Sequence, residues 1–329
     1  MNSAVIIGTG AYVPERVVPN SWFNQQLGED VDTWLQTNVE IFERRWCAPN
    51  ESTVDLCEKA ALEAINNAGI SADQLSMVIV ATDTPEYISP STASVLQYKL
   101  GAINAGSFDL NTACAGFVAA YDTACKFIQA DENHSYILVV GAYAMSKYLN
   151  LQDKKTVTLF ADGAGAVVLK SVADSDSGYK AGYQISKGQY HDWMGIYGGG
   201  TKFPITQESF DKKEHLLQFV KKFPKELNPA MWCDITHLLV QRAGISLADV
   251  KLFVLTQINV HSIRETMDQL GLPHSKAITN MHLFGYTGSA AIPMALHRAV
   301  SEKRIEKGDW VIMIGSGGGL AFAGSIFKY

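Results

Sequence analysis

The segment Asp109–Phe117, with the sequence DLNTACAGF, places one cysteine in a turn of small residues. Residues 105–110 before it have the pattern of a short strand, and residues 116–128 after it have the alanine content and apolar spacing of a buried helix. Cys114 is therefore predicted to lie at the N-terminus of that helix. Free N–H groups and the positive end of the helix dipole favour a thiolate there, and the same groups can bind a carbonyl oxygen. The pattern makes Cys114 a candidate nucleophile, with an inert buried thiol as the alternative.

The composition excludes several classes of protein. The chain has 329 residues, 47% of them hydrophobic, and a formal net charge of −6, which fits two domains or one large α/β unit. The sequence has no basic face that would indicate nucleic-acid binding. It also has no run of about 18 apolar residues that would indicate a membrane span. The N-terminus lacks the pattern of a signal peptide. Five cysteines without a CxxC pair are typical of free thiols, so we expect a cytoplasmic protein without a metal site.

An internal repeat predicts the architecture. Residues 68–82 and 243–256 each contain a helix end, a glycine stop, a polar turn and an apolar strand. Their separation is too wide for a solenoid and indicates a duplicated α/β unit. We predict two similar halves, at residues 1–172 and 236–329. Residues 173–235 would connect them and contribute to a substrate channel.

The pair Gly8 and Gly10 is superficially similar to a dinucleotide-binding fingerprint. Val13 stands where the third glycine is required, and Pro14 follows it. No helix can therefore begin there to bind a pyrophosphate. We interpret the pair as part of a structural turn.

Six motifs, in order along the chain, carry a resemblance to one family. They are residues 6–14 (IIGTGAYVP), 48–53 (APNEST), 112–117 (TACAGF), 160–166 (FADGAGA), 198–204 (GGGTKFP) and 317–319 (GGG). Over nearly its whole length the chain resembles a β-ketoacyl-ACP synthase III of the thiolase superfamily. The resemblance implies an α/β protein with the thiolase-like duplicated five-layer α/β/α/β/α fold, usually a homodimer.

The resemblance also implies a chemistry in two half-reactions. Cys114 takes an acyl group from coenzyme A, and the acyl-enzyme then condenses with malonyl-ACP, which loses carbon dioxide. The implied oxyanion hole consists of the backbone N–H groups of Cys114 and Gly318. A histidine, an asparagine and a phenylalanine serve the second half-reaction in the family. No cofactor is implied, because the thioester of coenzyme A or of phosphopantetheine is itself the substrate.

The chain departs from the family at three positions that serve the second half-reaction. Thr256 occupies the histidine position, Tyr286 the asparagine position and Ser316 the phenylalanine position. Threonine cannot carry the positive charge that histidine gains near neutral pH. Loss of one such donor typically lowers a rate about 10²–10³-fold. These changes argue against ordinary decarboxylative condensation, and the conceivable repairs are Tyr286 as a replacement donor and His261 as a displaced base.

The coenzyme A entrance is altered as well. Trp34 matches the family tryptophan that stacks on adenine, but Asn38 stands in one arginine position and Lys154 or Lys155 in the other. A lysine does not stack on a base or chelate phosphate as an arginine does. The acyl donor is therefore either a coenzyme A thioester or an acyl carrier protein, whose arm needs no adenine site.

Further substrate contacts are predicted at Asn259, His261 and Phe117. His261 matches a position at the mouth of the pantetheine channel, which favours a channel role over that of a base. His191 and His282 adjoin segments that border the family's pocket. The other histidines have no spacing typical of metal ligands.

Three functions follow from these residues. The favoured one is an acyltransferase that forms an acyl-enzyme on Cys114 and passes the acyl group to an acceptor in polyketide or fatty-acid-derived secondary metabolism. The second is a decarboxylative condensing synthase in which Tyr286 and waters replace the lost donors. The third is the partner subunit of a heterodimeric synthase, against which the intact Cys114 and residues 317–319 argue.

Overall fold

The computed structural model describes residues 2–329. The strands are β1 Asn2–Tyr12, β2 Val17–Pro19, β3 Glu43–Arg45, β4 Met77–Ala81, β5 Gly106–Leu110, β6 Tyr136–Ala144, β7 Asp162–Ala173, β8 Gly178–Ser186, β9 Met194–Gly195, β10 Gln218–Phe219, β11 Val250–Leu255, β12 Trp310–Gly317 and β13 Ala321–Lys328. The helices are α1 Asn20–Leu27, α2 Asp32–Asn38, α3 Thr53–Ala68, α4 Thr92–Leu100, α5 Gly116–Ala130, α6 Lys154–Val157, α7 Gln207–Asp211, α8 Leu227–Ala243, α9 Val260–Gln269, α10 Met281–Phe284 and α11 Ala291–Ser301. Within the described residues, each helix is too short or too polar to cross a bilayer.

Two mixed sheets form the frame of the molecule. The first has the strand order β1-β7-β6-β4-β5, with β6, β4 and β5 parallel and β1 and β7 antiparallel to their neighbours. The second has the order β11-β12-β13-β8, with only β11 and β12 parallel. The central strands of both sheets are buried along most of their length, as sheets covered on both faces require.

The helices complete five layers. Helices α5 and α11 contact strands of both sheets and form the middle layer, whereas α3 and α4 cover the first sheet and α8, which packs on α9, covers the second. This is the α/β/α/β/α arrangement predicted above. The segment 173–235 is more than a connection, because β8 pairs with β13 inside the second sheet and α8 begins at Leu227.

The duplication is visible in local detail. Gly69 and Gly244 end α3 and α8 with φ angles of 66° and 68°, values at which glycine carries no steric penalty. A capping box follows each, at Ser71 in the first half and at Ser246 in the second. Each box leads into a buried parallel strand, so the repeat seen in the sequence is a structural repeat.

The predicted turn at Gly8 and Gly10 is wrong, because both glycines lie inside β1. Helix α3 crosses this strand so closely that a Cβ at Gly8 would lie 2.3 Å from the Ala64 carbonyl oxygen, and one at Gly10 would lie 2.2 Å from that of Ala60. The glycines are needed for the contact between helix and strand. This tertiary requirement leaves no signal in the local sequence.

Substitution Gly10→Ala is expected to destabilise the protein by about 1–3 kcal/mol, since α3 must move away from β1 to admit the methyl group. Gly200→Ala is the matched control, because its added Cβ would meet no atom within 4 Å. Urea unfolding of both variants measures the difference. Equal free energies of unfolding would contradict the packing argument.

Candidate active site

The candidate nucleophile lies between a strand and a helix. Strand β5 ends at Leu110, α5 begins at Gly116, and Cys114 occupies the 3₁₀ turn between them. Ala113 has a φ of 47°, and its N–H donates to Oδ1 of Asn111 at 2.9 Å. This side-chain bond supports a left-handed backbone that alanine adopts only at a cost. The turn thus presents the Cys114 sulfur directly before the first turn of α5.

The end of β12 packs on the backbone of that turn. A Cβ at Gly317 would lie 2.4 Å from the carbonyl oxygen of Thr112 and 2.7 Å from the nitrogen of Cys114. A Cβ at Gly315 would lie 2.7 Å from Cα of Ala115. Both positions therefore require glycine. Gly318, the next residue after β12, lines two cavities together with Cys114.

Two cavities meet at Cys114, with Met194 and Gly318 lining both. The Tyr286 cavity, also lined by Ser316, has a volume of about 80 Å³. The Asp83 cavity, on the other side, has a volume of about 240 Å³. The sulfur therefore faces one space that leads toward Tyr286 and another that leads toward Asp83.

Tyr286 is the one residue of the three departures that contacts the nucleophile. Its hydroxyl adjoins the Cys114 sulfur in the cavity that both residues line, and burial together with this sulfur holds the pKa of Tyr286 well above its usual value. The backbone is held on both sides, because the Tyr286 N–H donates to the Leu159 carbonyl at 2.9 Å and the Tyr286 carbonyl accepts from Ala161 at 2.9 Å. Tyr286 is thus a neutral donor fixed beside the thiol.

Thr256 and Ser316 contact each other instead. The Ser316 N–H donates to Oγ1 of Thr256 at 2.7 Å, and their two hydroxyl groups lie 3.4 Å apart. Thr256 is only 1% exposed. Its side-chain oxygen therefore joins β11 to β12, whereas Ser316 lines the Tyr286 cavity.

Asp83 is a site residue that the motifs did not reveal. It follows β4, whose parallel neighbour β5 leads into the Cys114 turn. Oδ1 of Asp83 is buried without a hydrogen-bond partner, and burial raises the pKa of Asp83 to about 6. The available signal was positional, because the carboxyl ends of adjacent parallel strands meet at one edge of a sheet and ligands bind there.

Burial and charge act on the thiol against the helix dipole. Burial raises the pKa of Cys114 above its usual value and the Asp83 charge raises it further, whereas the hydrogen bond from Tyr286 lowers it. The sequence predicted a thiolate stabilised at the helix start. Burial and the Asp83 charge oppose that ionisation, and Tyr286 is the side chain that favours it.

The predicted coenzyme A entrance is an exposed cleft of about 370 Å³ that Trp34, Lys154 and Leu159 line. The Trp34 side chain is 52% exposed. Lys154 forms an ion pair with Glu29 at 2.9 Å, so its charge is partly neutralised. Leu159 links the cleft to the site, because its carbonyl accepts the Tyr286 N–H.

The remaining predicted substrate contacts lie in different surroundings. Asn259 caps α9 by accepting the N–H of His261 at 2.9 Å, and the His261 side chain is exposed. The predicted substrate contact of Phe117 is wrong, because its ring is fully buried and stacks on Tyr121 in the core. His191 lines the Asp83 cavity.

The raised pKa of Asp83 gives stability a pH dependence. The unfolded chain loses this proton near pH 4 and the folded chain near pH 6, so the folded state loses stability as the pH rises through that interval. Asp83→Asn removes this titration, so the free energy of unfolding of the variant should not fall in this interval as that of wild type does. The difference between variant and wild type is expected to grow in favour of the variant by about 2 kcal/mol from pH 4.5 to pH 8. Urea unfolding at the two pH values measures this change. An identical difference at both would contradict a buried, unpaired carboxylate.

Comparison with protein families agrees with this geometry. The model of 3-oxoacyl-[acyl-carrier-protein (ACP)] synthase III matches residues 108–188, which contain the nucleophile turn. The model of the C-terminal part of the same proteins matches residues 240–329. Together the two matches include part of each half of the duplicated fold.

Individual relatives extend the match to the whole chain. A β-ketoacyl-[acyl-carrier-protein] synthase III from Clostridium perfringens is 36% identical over 328 residues, covering 100% of both chains. The crystal structure of the Aquifex aeolicus 3-oxoacyl-[acyl-carrier-protein] synthase III superimposes with a TM-score of 0.89 at 30% identity, covering 99% of this chain and 100% of that one. The priming β-ketosynthase of the R1128 polyketide pathway gives 0.89 at 26% identity, covering 99% and 96%. Since sequence and architecture agree from end to end, this chain belongs to the β-ketoacyl-[acyl-carrier-protein] synthase III family of acyltransferases.

Proposed function

We propose that Cys114 accepts an acyl group from a coenzyme A or carrier-protein thioester and passes it to an acceptor without decarboxylating malonyl-ACP. The observation that carries this proposal is the set of groups around the sulfur. Tyr286 lines one cavity with Cys114 and lowers the pKa of the thiol, and Asp83 lines the second cavity with it. These groups serve a thiol that gains and loses an acyl group.

The first step is the acylation of Cys114 by the donor thioester. The sulfur of Cys114 attacks the thioester carbonyl, the carbon–sulfur bond to the carrier breaks, and the thiol proton ends on the departing carrier thiolate. The N–H groups of Cys114 and Gly318 are proposed to bind the oxyanion, since the end of β12 packs on the nucleophile turn. Preformed donors of this kind stabilise charge only where it develops. No resident cofactor is needed, because the sulfur itself carries the acyl group.

Decarboxylation makes different demands on the same space. Loss of carbon dioxide leaves an enolate, which needs donors that become stronger as negative charge grows. Thr256 directs its oxygen at the Ser316 N–H, and Asp83, buried beside the thiol, opposes a second negative charge. Both features favour acyl transfer over condensation.

One observation supports the condensing synthase as a second candidate. The Tyr286 hydroxyl is a single well-held donor in the cavity that borders the sulfur. It could bind an enolate oxygen in place of the family's pair. A tyrosine is neutral near pH 7, so it stabilises such an anion less than a protonated histidine does.

We infer that two copies of the chain associate, as the resemblance implies. Tyr98 is 84% exposed, Ile88 89% and Ile103 77%, and all three lie in or beside α4. Three large apolar side chains exposed near one helix favour an interaction surface there. A role in polyketide or fatty-acid-derived metabolism is supported by the likeness to the R1128 priming ketosynthase.

Acylation is tested by incubating the protein with acyl-CoA or acyl-ACP and measuring the intact mass. Wild type is expected to gain one acyl group that Cys114→Ala does not gain, and to release it on addition of a nucleophile such as an amine. An equal adduct in both proteins would sink the proposal.

The two neighbours of the sulfur are expected to shift its pH profile in opposite directions. Tyr286→Phe removes a hydrogen bond to the thiolate, so Cys114 alkylation by iodoacetamide should move to higher pH and acylation should slow about tenfold or more. Asp83→Asn removes a repulsive charge and should move alkylation to lower pH. Rates measured from pH 6 to 10, with Cys114→Ala as background, decide this. Shifts of the same sign would contradict the assigned contacts.

A further inference from the structure

The Asp83 cavity contains polar atoms that the protein does not satisfy. Oδ1 of Asp83 and the hydroxyl of Tyr197 are both buried and have no hydrogen-bond partner, and both residues line this cavity with Cys114. Buried polar atoms in folded proteins are nearly always paired. Two such atoms around one cavity that reaches the nucleophile are therefore available to a bound molecule.

The geometry separates the carrier side of the site from this cavity. Leu159 lines the Trp34 cleft. Its carbonyl accepts the N–H of Tyr286, which lines the Tyr286 cavity. The Trp34 cleft is therefore joined through one backbone hydrogen bond to the Tyr286 side of the site. The Asp83 cavity shares Cys114, Met194 and Gly318 with the Tyr286 cavity, and it is the candidate space for the acyl chain.

The lining of this cavity is divided between apolar and polar groups. Met145, Ile196 and Leu217 supply surface for the carbon chain. Asp83 and Tyr197 supply the two unpartnered polar atoms. An ionised carboxylate only accepts hydrogen bonds, whereas a tyrosine hydroxyl can donate or accept.

We propose that the acyl group carried by Cys114 bears a hydrogen-bond donor, an amino or hydroxyl group, which Asp83 and Tyr197 bind in the Asp83 cavity. This inference rests on the proposed acyl transfer and names its substrate class. A protonated amine pairs with the carboxylate charge, and a hydroxyl satisfies the same oxygen without charge. A purely hydrocarbon chain would leave both polar atoms desolvated and unpaired, which is the strongest form of substrate rejection that a site can build.

The charge of Asp83 also acts on other titratable groups. The thiol of Cys114 and the hydroxyls of Tyr143, Tyr148 and Tyr286 have their pKa values raised in part by the Asp83 charge. His191 is the basic group of the lining within the described residues. A pH effect on amine binding can therefore come from Asp83 or from His191, and variants must separate the two.

Three thioesters that differ in one group test the proposal. They are the coenzyme A esters of 3-methylbutanoate, 3-hydroxybutanoate and 3-aminobutanoate, which place a methyl, a hydroxyl or an ammonium group at the same carbon. The readout is the initial rate of Cys114 acylation by intact mass, with the three in competition. Wild type is expected to prefer the hydroxy or the amino ester over the methyl ester by about tenfold or more.

The variants assign that preference to residues. Asp83→Leu should remove or reverse it, and Asp83→Asn should keep the hydroxyl preference but lose that for the amine. Tyr197→Phe should reduce the preferences severalfold. Any amine preference should weaken below pH 6 in wild type and in His191→Gln, but not in Asp83→Asn.

The outcomes distinguish this inference from the function on which it rests. Acylation by all three esters, with the methyl ester as fast as the others, would overturn the polar acyl group and leave acyl transfer standing. A preference unchanged in Asp83→Leu would overturn the assignment to Asp83. If wild type is shown to be folded by its thermal unfolding transition and still forms no adduct with any of the three thioesters, both proposals are overturned.

Discussion

The contact between the end of β12 and the backbone of the Cys114 turn is the constraint on which the rest of the site depends. Gly317 lies so close to Thr112 and Cys114 that no side chain fits between them. The contact joins the second sheet to the start of α5, a helix of the middle layer. It places Gly318 beside the sulfur, so the two halves of the duplicated fold build one site at their junction.

Burial at this junction determines the chemistry of the thiol. Burial raises the pKa of the Cys114 thiol, and the charge of Asp83 raises it further. Only Tyr286 acts in the opposite direction among the side chains found to influence it. In the proposed transfer, the site therefore depends on Tyr286 and on backbone N–H groups to stabilise negative charge when a thioester is bound. Such an arrangement suits transfer between two thioester-like states better than the creation of a carbanion.

Local patterns predicted much of this structure. The Cys114 turn and the repeat that ends at Gly69 and Gly244 follow from strand, helix and glycine signals within short windows, whereas the five-layer fold followed from the resemblance to the family. The prediction of a turn at Gly8 was wrong because this glycine lies in β1, where the absence of a side chain lets α3 pack closely on the strand. Long-range packing of this kind has no local signature.

The candidate site was predictable only in part for a related reason. The resemblance predicted Thr256 and Tyr286 in the positions of two family donors, but not that Tyr286 lines a cavity with the sulfur whereas Thr256 does not. That difference arises because the Thr256 oxygen is bound by the Ser316 N–H on the neighbouring strand. Asp83 was missed since its importance lies in a hydrogen bond that it lacks, and no motif encodes an unpaired atom.

The release of carbon dioxide from malonyl-ACP by the acylated protein decides between acyl transfer and condensation. The protein is first acylated on Cys114, freed of excess thioester, and mixed with malonyl-ACP labelled in its free carboxyl group. We expect the label to stay in the carrier protein at the level seen with Cys114→Ala, while an added nucleophile still removes the acyl group. Labelled carbon dioxide released in proportion to the acyl-enzyme consumed would contradict the account.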